Sequence, residues 1–236
     1  WGIGRQHKNR LEYLGIENAW QFTLLSEDWV KKHMSVVGVR IKRDLMGLPT
    51  IQLEEIQPPK KCITTTRSFE GTVSKFSDLE ERISTFASSC AEKMRKQQSS
   101  CSTMLVFIKS DPHKKNTVPY QNSYVFNLPY ITDSNIMLSK YAVIGLKKIF
   151  KKGISYKKAG VMIMGLTPTT NRQLSLFDNN NVRHISIMQS VDKIHKRFGP
   201  HKIKLANQDL NRTWKMKQQY LSSRFTTELS EIITVK

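Results

Sequence analysis

The sequence predicts an α+β protein, and three observations carry that prediction. Residues 63–168 alternate β-branched, period-two segments with segments that repeat apolar residues every three to four positions, in the order β-α-β-β-α-β. Residues 1–47 show only the helical period, cut into short pieces by glycines. The chain has 236 residues, 39% of them hydrophobic, which suits one large domain or two to three small ones.

The elements follow in order. Trp1-Gly2-Ile3-Gly4 reads as a tight turn, and the helix after it carries Leu11 and Leu14 near its end, with Gly15 as its stop. A second helical stretch covers about 18–25. A third starts near Asp28 with Val30, Met34 and Val37, and a fourth follows Gly38, from Val39 to Met46. Pro49, Pro58, Pro59, Lys60 and Lys61 make 48–62 a linker. Ile63 to Phe69 is a strand. Ser77-Asp78-Leu79-Glu80 fits a capping box, and the helix it opens aligns Leu79, Ile83, Phe86, Cys90 and Met94. Thr103 to Lys109 and Ser123 to Leu128 are strands, the latter with Tyr124, Phe126 and Leu128 on one side. Asp133 or Ser134 caps a second helix with Leu138, Tyr141, Ala142, Gly145 and Ile149 inward, and Tyr156 to Met164 is the last strand. This is the split βαβ pattern of ferredoxin-like sheets, with both helices on one face and the other face open. Residues 169–182 form a polar loop. A helix over 183–198 aligns Ile187, Val191, Ile194 and Phe198, and His201 to Ala206 is a candidate strand.

Charge narrows the function. Lys and Arg outnumber Asp and Glu by 38 to 19. The excess is +3 over 1–62, +9 over 63–170 and +7 over 171–236, spread through folded-looking sequence, which favours an extended surface for a polyanion over a basic tail. No apolar run reaches the length of a membrane-spanning helix, and no signal peptide is visible. Cys62, Cys90 and Cys101 show no metal spacing, and their odd number fits a reducing, cytoplasmic setting. Residue 1 is Trp, inside a Gly-rich turn, so a piece of a longer protein is expected.

Candidate contacts follow from these elements. Gly2 and Gly4 would let a turn approach a sugar-phosphate backbone, with amides near Gly4 and Arg5 facing a phosphate; an ordinary helix cap is the plain alternative. In the first strand, Thr66, Arg67 and Ser68 suit phosphate contacts, with alternation placing Thr65 and Arg67 opposite Thr64, Thr66 and Ser68. Lys109, Lys157 and Lys158 read either as further contacts or as solvated charges. Lys147, Lys148, Lys151 and Lys152 complement a helix C-terminus. Ser26-Glu27-Asp28 is a helix start rather than a two-metal site, and no catalytic residue or metal ligand is assigned. Gln173-Leu174-Ser175-Leu176-Phe177, in a polar setting, reads as a docking peptide with Leu176 and Phe177 as anchors, or as a loop tucked into the chain's own core.

Taken together, these parts resemble the Y-family lesion-bypass DNA polymerases of the UmuC type. Trp1-Gly2-Ile3-Gly4-Arg5 with Leu14-Gly15-Ile16 resembles part of a helix-hairpin-helix thumb. Ile51-x-Leu53-Glu54-Glu55, Pro58-Pro59-Lys60-Lys61 and Thr66-Arg67-Ser68-Phe69 resemble the linker and first strand of the little finger, and Tyr156-Lys157-Lys158-Ala159-Gly160-Val161 its last strand. Gln173 to Phe177 sits where that family carries a sliding-clamp peptide, and 183–236 resembles a small C-terminal α/β extension. The resemblance implies thumb 1–47, linker 48–62, little finger 63–168, clamp loop 169–182 and extension 183–236. It implies primer-template DNA, gripped through its backbone, and a bacterial sliding clamp as partners. It further implies a UmuD-like subunit, a recombinase filament and a role in the SOS response to DNA damage. The palm with its carboxylates and Mg²⁺ precedes the thumb in that family and is not in this sequence, so no cofactor and no polymerisation are expected of these residues alone. The competing readings are a standalone DNA-binding adaptor or regulator, and a helix-hairpin-helix repair enzyme; the latter needs a catalytic Asp or Lys after the hairpin, which is not seen.

Overall fold

The computed structural model describes residues 1–52, 58–112, 118–171, 183–209 and 220–233. The chain divides into two compact units, Trp1–Pro58 and Pro59–Lys236.

The first unit is helical. α1 (Arg5–Tyr13) ends where Gly15, at φ +72, lets the Ile16 amide donate to the Leu11 carbonyl. α2 (Ala19–Thr23) is opened by a reciprocal capping box between Asn18 and Gln21. α3 (Glu27–Leu45) is N-capped by Ser26 and interrupted at Ser35, which sits at φ +64. The break therefore falls at Ser35 rather than at Gly38. Gly38 is buried within the helix because a Cβ there would lie 2.5 Å from the Met34 side chain and 3.0 Å from Val30. Leu11, Phe22, Val30 and Met34 form the core of this unit, and Glu27 receives a bidentate ion pair from Arg43 at 2.9 and 2.7 Å.

The second unit is built on a four-stranded antiparallel sheet in the order β1-β4-β2-β3. The strands are β1 (Ile63–Val73), β2 (Ser99–Ser110), β3 (Gln121–Thr132) and β4 (Tyr156–Pro168), and all three pairings are antiparallel. Two helices, α4 (Phe76–Lys96) and α5 (Asn135–Ile149), make the crossovers, and each crossover skips one strand, the expected split βαβ unit. Pro129 lies in β3, an edge strand, where its missing amide costs no central ladder bond. Alternate strand residues, among them Ile63, Met104, Val106, Ile108, Ala159, Val161 and Ile163, face the helices. There they meet Leu79, Ile83, Phe86, Cys90 and Met94 of α4 and Leu138, Ala142, Leu146 and Ile149 of α5. α5 comes close to the sheet at Gly145, where a Cβ would stand 2.9 Å from the Phe126 ring.

Neither helix starts with the predicted side-chain cap. α4 begins at Phe76 with Lys75 as N-cap, so Ser77 lies inside the first turn and its hydroxyl donates to Asp78 instead. Ser134 is the N-cap of α5, but its hydroxyl turns away to His184 Nδ1 at 3.1 Å.

α6 (Arg183–Phe198) covers the helix layer, and its docked face is not the predicted apolar stripe. Met188 is its one buried residue, while Ile187 and Phe198 are exposed. Most of the docking is polar. Arg95 of α4 holds the Asp192 carboxylate through Nε and Nη2, both at 2.7 Å, and its Nη1 donates to the Asp133 carbonyl at 2.7 Å and to Asn135 Oδ1 at 2.8 Å. Asn207 Nδ2 donates to Ser139 Oγ at 2.8 Å. Residues 201–206 form no strand; Leu205 and Gln208 close a turn through the Leu205 amide and Gln208 Oε1 at 2.7 Å. The described part of 183–236 is thus helix and turns, not α/β.

Burial also sets the thiols apart. It pushes Cys101 up to about 12, and it raises Cys90 against the opposing hydrogen bond to Thr65, whereas Cys62 is exposed. A thiol reagent at pH 8 is expected to count one fast sulfhydryl in the folded chain and three in denaturant. Because both buried thiols stay protonated when folded, their contribution to stability is full below the ordinary thiol range. It is lost as pH climbs above about 9, for Cys101 toward about 12.

Candidate nucleic-acid interface

Strand alternation turns every second residue of the sheet away from α4 and α5, and the pairing register aligns those residues into rows. One row runs Ser68, Lys158, Lys109 and Gln121 across β1, β4, β2 and β3. The next runs Thr66, Gly160, Phe107 and Ser123. A third, Thr64, Met162, Leu105 and Val125, is largely apolar. With strands about 4.8 Å apart, a row is about 14 Å wide, close to the roughly 12 Å width of a B-DNA major groove. Phe107 lies against Gly160, where a Cβ would fall 2.6 Å from the ring and 2.8 Å from Thr66.

Lys109 and Lys158 stand directly opposite each other, and neither has a carboxylate partner among the described residues. Facing like charges on adjacent strands destabilise a sheet. A bound anion would remove that penalty. Ser68, Gln121 and Ser123 are exposed and extend the hydrogen-bonding surface to both edges, while the Thr66 hydroxyl donates to the Ala159 carbonyl at 3.1 Å.

The other sequence candidates fall elsewhere. Arg67 pairs with Ala159, so it lies on the helix-side parity of edge strand β1; it is exposed, and its Nη1 donates to the Thr66 carbonyl at 3.1 Å. Lys157 is the extra residue where the β2–β4 register shifts, and its ammonium donates to the Glu70 carbonyl at 2.8 Å. Gly2, Gly4 and Arg5 belong to the first unit. Gly2 has φ +89 and abuts the Ile41 side chain, Gly4 is the N-cap of α1 with no side-chain cap, and Arg5 is the exposed first helical residue. Gln173, Leu174, Ser175, Leu176 and Phe177 lie outside the described residues. Gln121 and Ser123 were not legible beforehand, because their place beside Lys109 and Phe107 depends on the β2–β3 register.

Comparison with known proteins fits this geometry. Residues 60–176 match the impB/mucB/samB family C-terminal domain, and residues 186–235 match a domain of unknown function (DUF4113). Protein UmuC of Salmonella typhimurium (strain LT2) is 34% identical over 238 residues, covering 100% of this chain and 56% of that protein. The chain belongs to the UmuC family of Y-family polymerases, as their C-terminal part. SamB of Salmonella typhimurium is 33% identical, covering 100% of this chain and 56% of that protein, and MucB of Escherichia coli is 30% identical, covering 98% and 55%. The UmuC-type chain thus spans a little over half the length of these relatives. The open sheet lies wholly within the matched family domain, whereas α6 and the turns after it fall mainly in the domain of unknown function. Among the described residues of this UmuC-type chain, no three His, Cys, Asp or Glu side chains could hold a metal ion. No described helix is long and apolar enough to cross a membrane.

Proposed function

We propose that this chain holds primer-template DNA, independently of sequence, for a translesion polymerase, and that residues 173–177 tether it to a sliding clamp. The observation that carries the DNA reading is the unpartnered Lys109–Lys158 pair on the open face, flanked by Ser68, Gln121 and Ser123. Lysines and hydroxyls of this kind suit phosphate oxygens, which position a duplex without reading its bases. A polymerase that must advance over any template needs such contacts. In this reading the first unit is the thumb, with Gly2, Gly4 and Arg5 as its contacts to the DNA backbone, and the second is the little finger. Arg67 and Lys157 serve as flanking cations. Nucleotidyl transfer, with its Mg²⁺, belongs to the palm of the whole family protein, and a UmuD-like subunit and a recombinase filament are its further partners in DNA repair.

The test is fluorescence anisotropy with a primer-template duplex across a salt series. Lys109→Ala with Lys158→Ala is expected to weaken binding about tenfold or more on every sequence tried and to lower the slope of log affinity against log salt by about 2. An unchanged slope would remove the open face from the interface. For the tether, Leu176→Ala with Phe177→Ala is expected to abolish micromolar binding to a bacterial sliding clamp. Equal clamp binding by both chains would assign those residues to the chain's own packing.

A further inference from the structure

The lysine row borders an apolar centre on the open face. One row on, about 7 Å along β2, the Phe107 side chain leans over β4. Its ring tip comes so near Gly160 that a Cβ there would stand 2.6 Å from it and 2.8 Å from Thr66 on β1. A side chain at position 160 would push the ring off the sheet. The next row brings Met162, Leu105 and Val125 together. Phe107, Leu105 and Met162 are half-buried, and Val125 is 53% exposed. α4, α5 and α6 all lie on the other side of the sheet. Covering Gly160 accounts for the ring, but not for its apolar neighbours. An apolar patch within a polar face marks a binding surface. On its far side lie Thr103 and the exposed Asn127, whose Oδ1 accepts the Thr103 hydroxyl at 3.0 Å and whose Nδ2 is left to donate.

We infer that the centre of the open face is a stacking platform for unpaired nucleobases of single-stranded DNA, laid on Phe107 with the strand's phosphates at Lys109 and Lys158. The apolar row selects this occupant. In a duplex each base face is covered by its neighbours. The major groove then offers edges of donors and acceptors, with the thymine methyl as its apolar group. Leu105, Met162 and Val125 would take those edges out of water and leave them unpaired, at a cost. An unpaired base offers its apolar faces instead. Aromatic side chains on open four-stranded sheets stack such bases, and stacking on a ring tolerates any base sequence. The lysines one row away then meet phosphates, and the Asn127 amide can donate to a base edge. The inference rests on the DNA reading and specifies it: of a primer-template, this face takes the unpaired template strand.

The test uses the full chain and fluorescence anisotropy with three probes: oligothymidylate, a strand of the same length whose central residues carry no base, and a blunt duplex. The unaltered chain is expected to bind oligothymidylate about tenfold more tightly than the base-free strand. Phe107→Ala should erase that gain while changing the base-free strand and the duplex by less than about twofold. Phe107→Trp should keep it, and 2-aminopurine in the strand should lose fluorescence on binding the Trp variant but not the Ala variant. Equal binding of both single strands by the unaltered chain would overturn the inference. So would a Phe107→Ala loss that is the same on all three probes. Lys109→Ala with Lys158→Ala separates this reading from the one beneath it. If that variant weakens every probe and bases still add nothing, the DNA reading stands and the platform alone falls. If it weakens none, the DNA reading falls and takes the platform with it.

Discussion

An Asp192→Ala chain is expected to lose about 3 kcal/mol of stability, because it strips a nearly buried guanidinium of its counter-charge. The Arg95 side chain is 9% exposed and Asp192 32% exposed, and two of the four hydrogen bonds of Arg95 end on that carboxylate. Both are charge-assisted and parallel, the strong form of such a pair. Replacing both partners together, with Arg95→Met and Asp192→Leu, should cost much less, since no unpaired charge then remains. Urea melts of the three variants form the measurement, with limited proteolysis reporting whether α6 lifts from α4 and α5. A loss below about 1 kcal/mol in the single variant would class the pair with exposed salt bridges and leave Met188 as the main anchor of α6.

Phe86→Ala is expected to cost about 4 kcal/mol. Phe86 is 2% exposed on the sheet-facing side of α4, within the cluster that joins both helices to all four strands. Removing the ring takes away its transfer energy and leaves a hole that two rigid layers cannot fully close. The urea midpoint should fall with the slope unchanged. Phe107→Ala makes a useful contrast. That ring is half-buried on the open face, over Gly160, so its loss should disturb stability less and DNA affinity more.

The four strands and their two crossover helices were legible because each repeats its apolar residues over at least three periods and because both faces of the unit are chemically distinct. Leu79, Ile83, Phe86, Cys90 and Met94 could only be one face of α4, and all five are buried. Where local chemistry had rivals, the reading failed. The helix break expected at Gly38 falls instead at Ser35, at φ +64, because Gly38 is needed for close packing against Met34 and Val30. The Ser77 and Ser134 hydroxyls abandon the caps their spacing suggested, the second for His184 fifty residues away. α6 misled most. Its apolar stripe is conspicuous, yet the docked face is selected by Arg95 on another element, which no periodicity reveals. The open-face rows were half legible, since alternation sorts the residues of one strand but only register sets Lys109 against Lys158 and extends the row to Gln121.

The two ends of segment 172–182 are fastened close together. The Thr169 amide and hydroxyl both donate to the Gln98 carbonyl, and three residues earlier Arg95 holds the Asp133 carbonyl, next to Ser134, whose hydroxyl meets His184 at the start of α6. Under the proposed tether, a clamp holding residues 173–177 would be joined to the second unit on both sides, with at most about twenty ångströms of chain to either anchor. That mooring lies at the Ser99 end of β2, whereas Lys109 lies about 35 Å away along the same strand. If both proposed contacts hold, the sheet would be held at bow and stern, and a second mooring would oppose its swinging about the first.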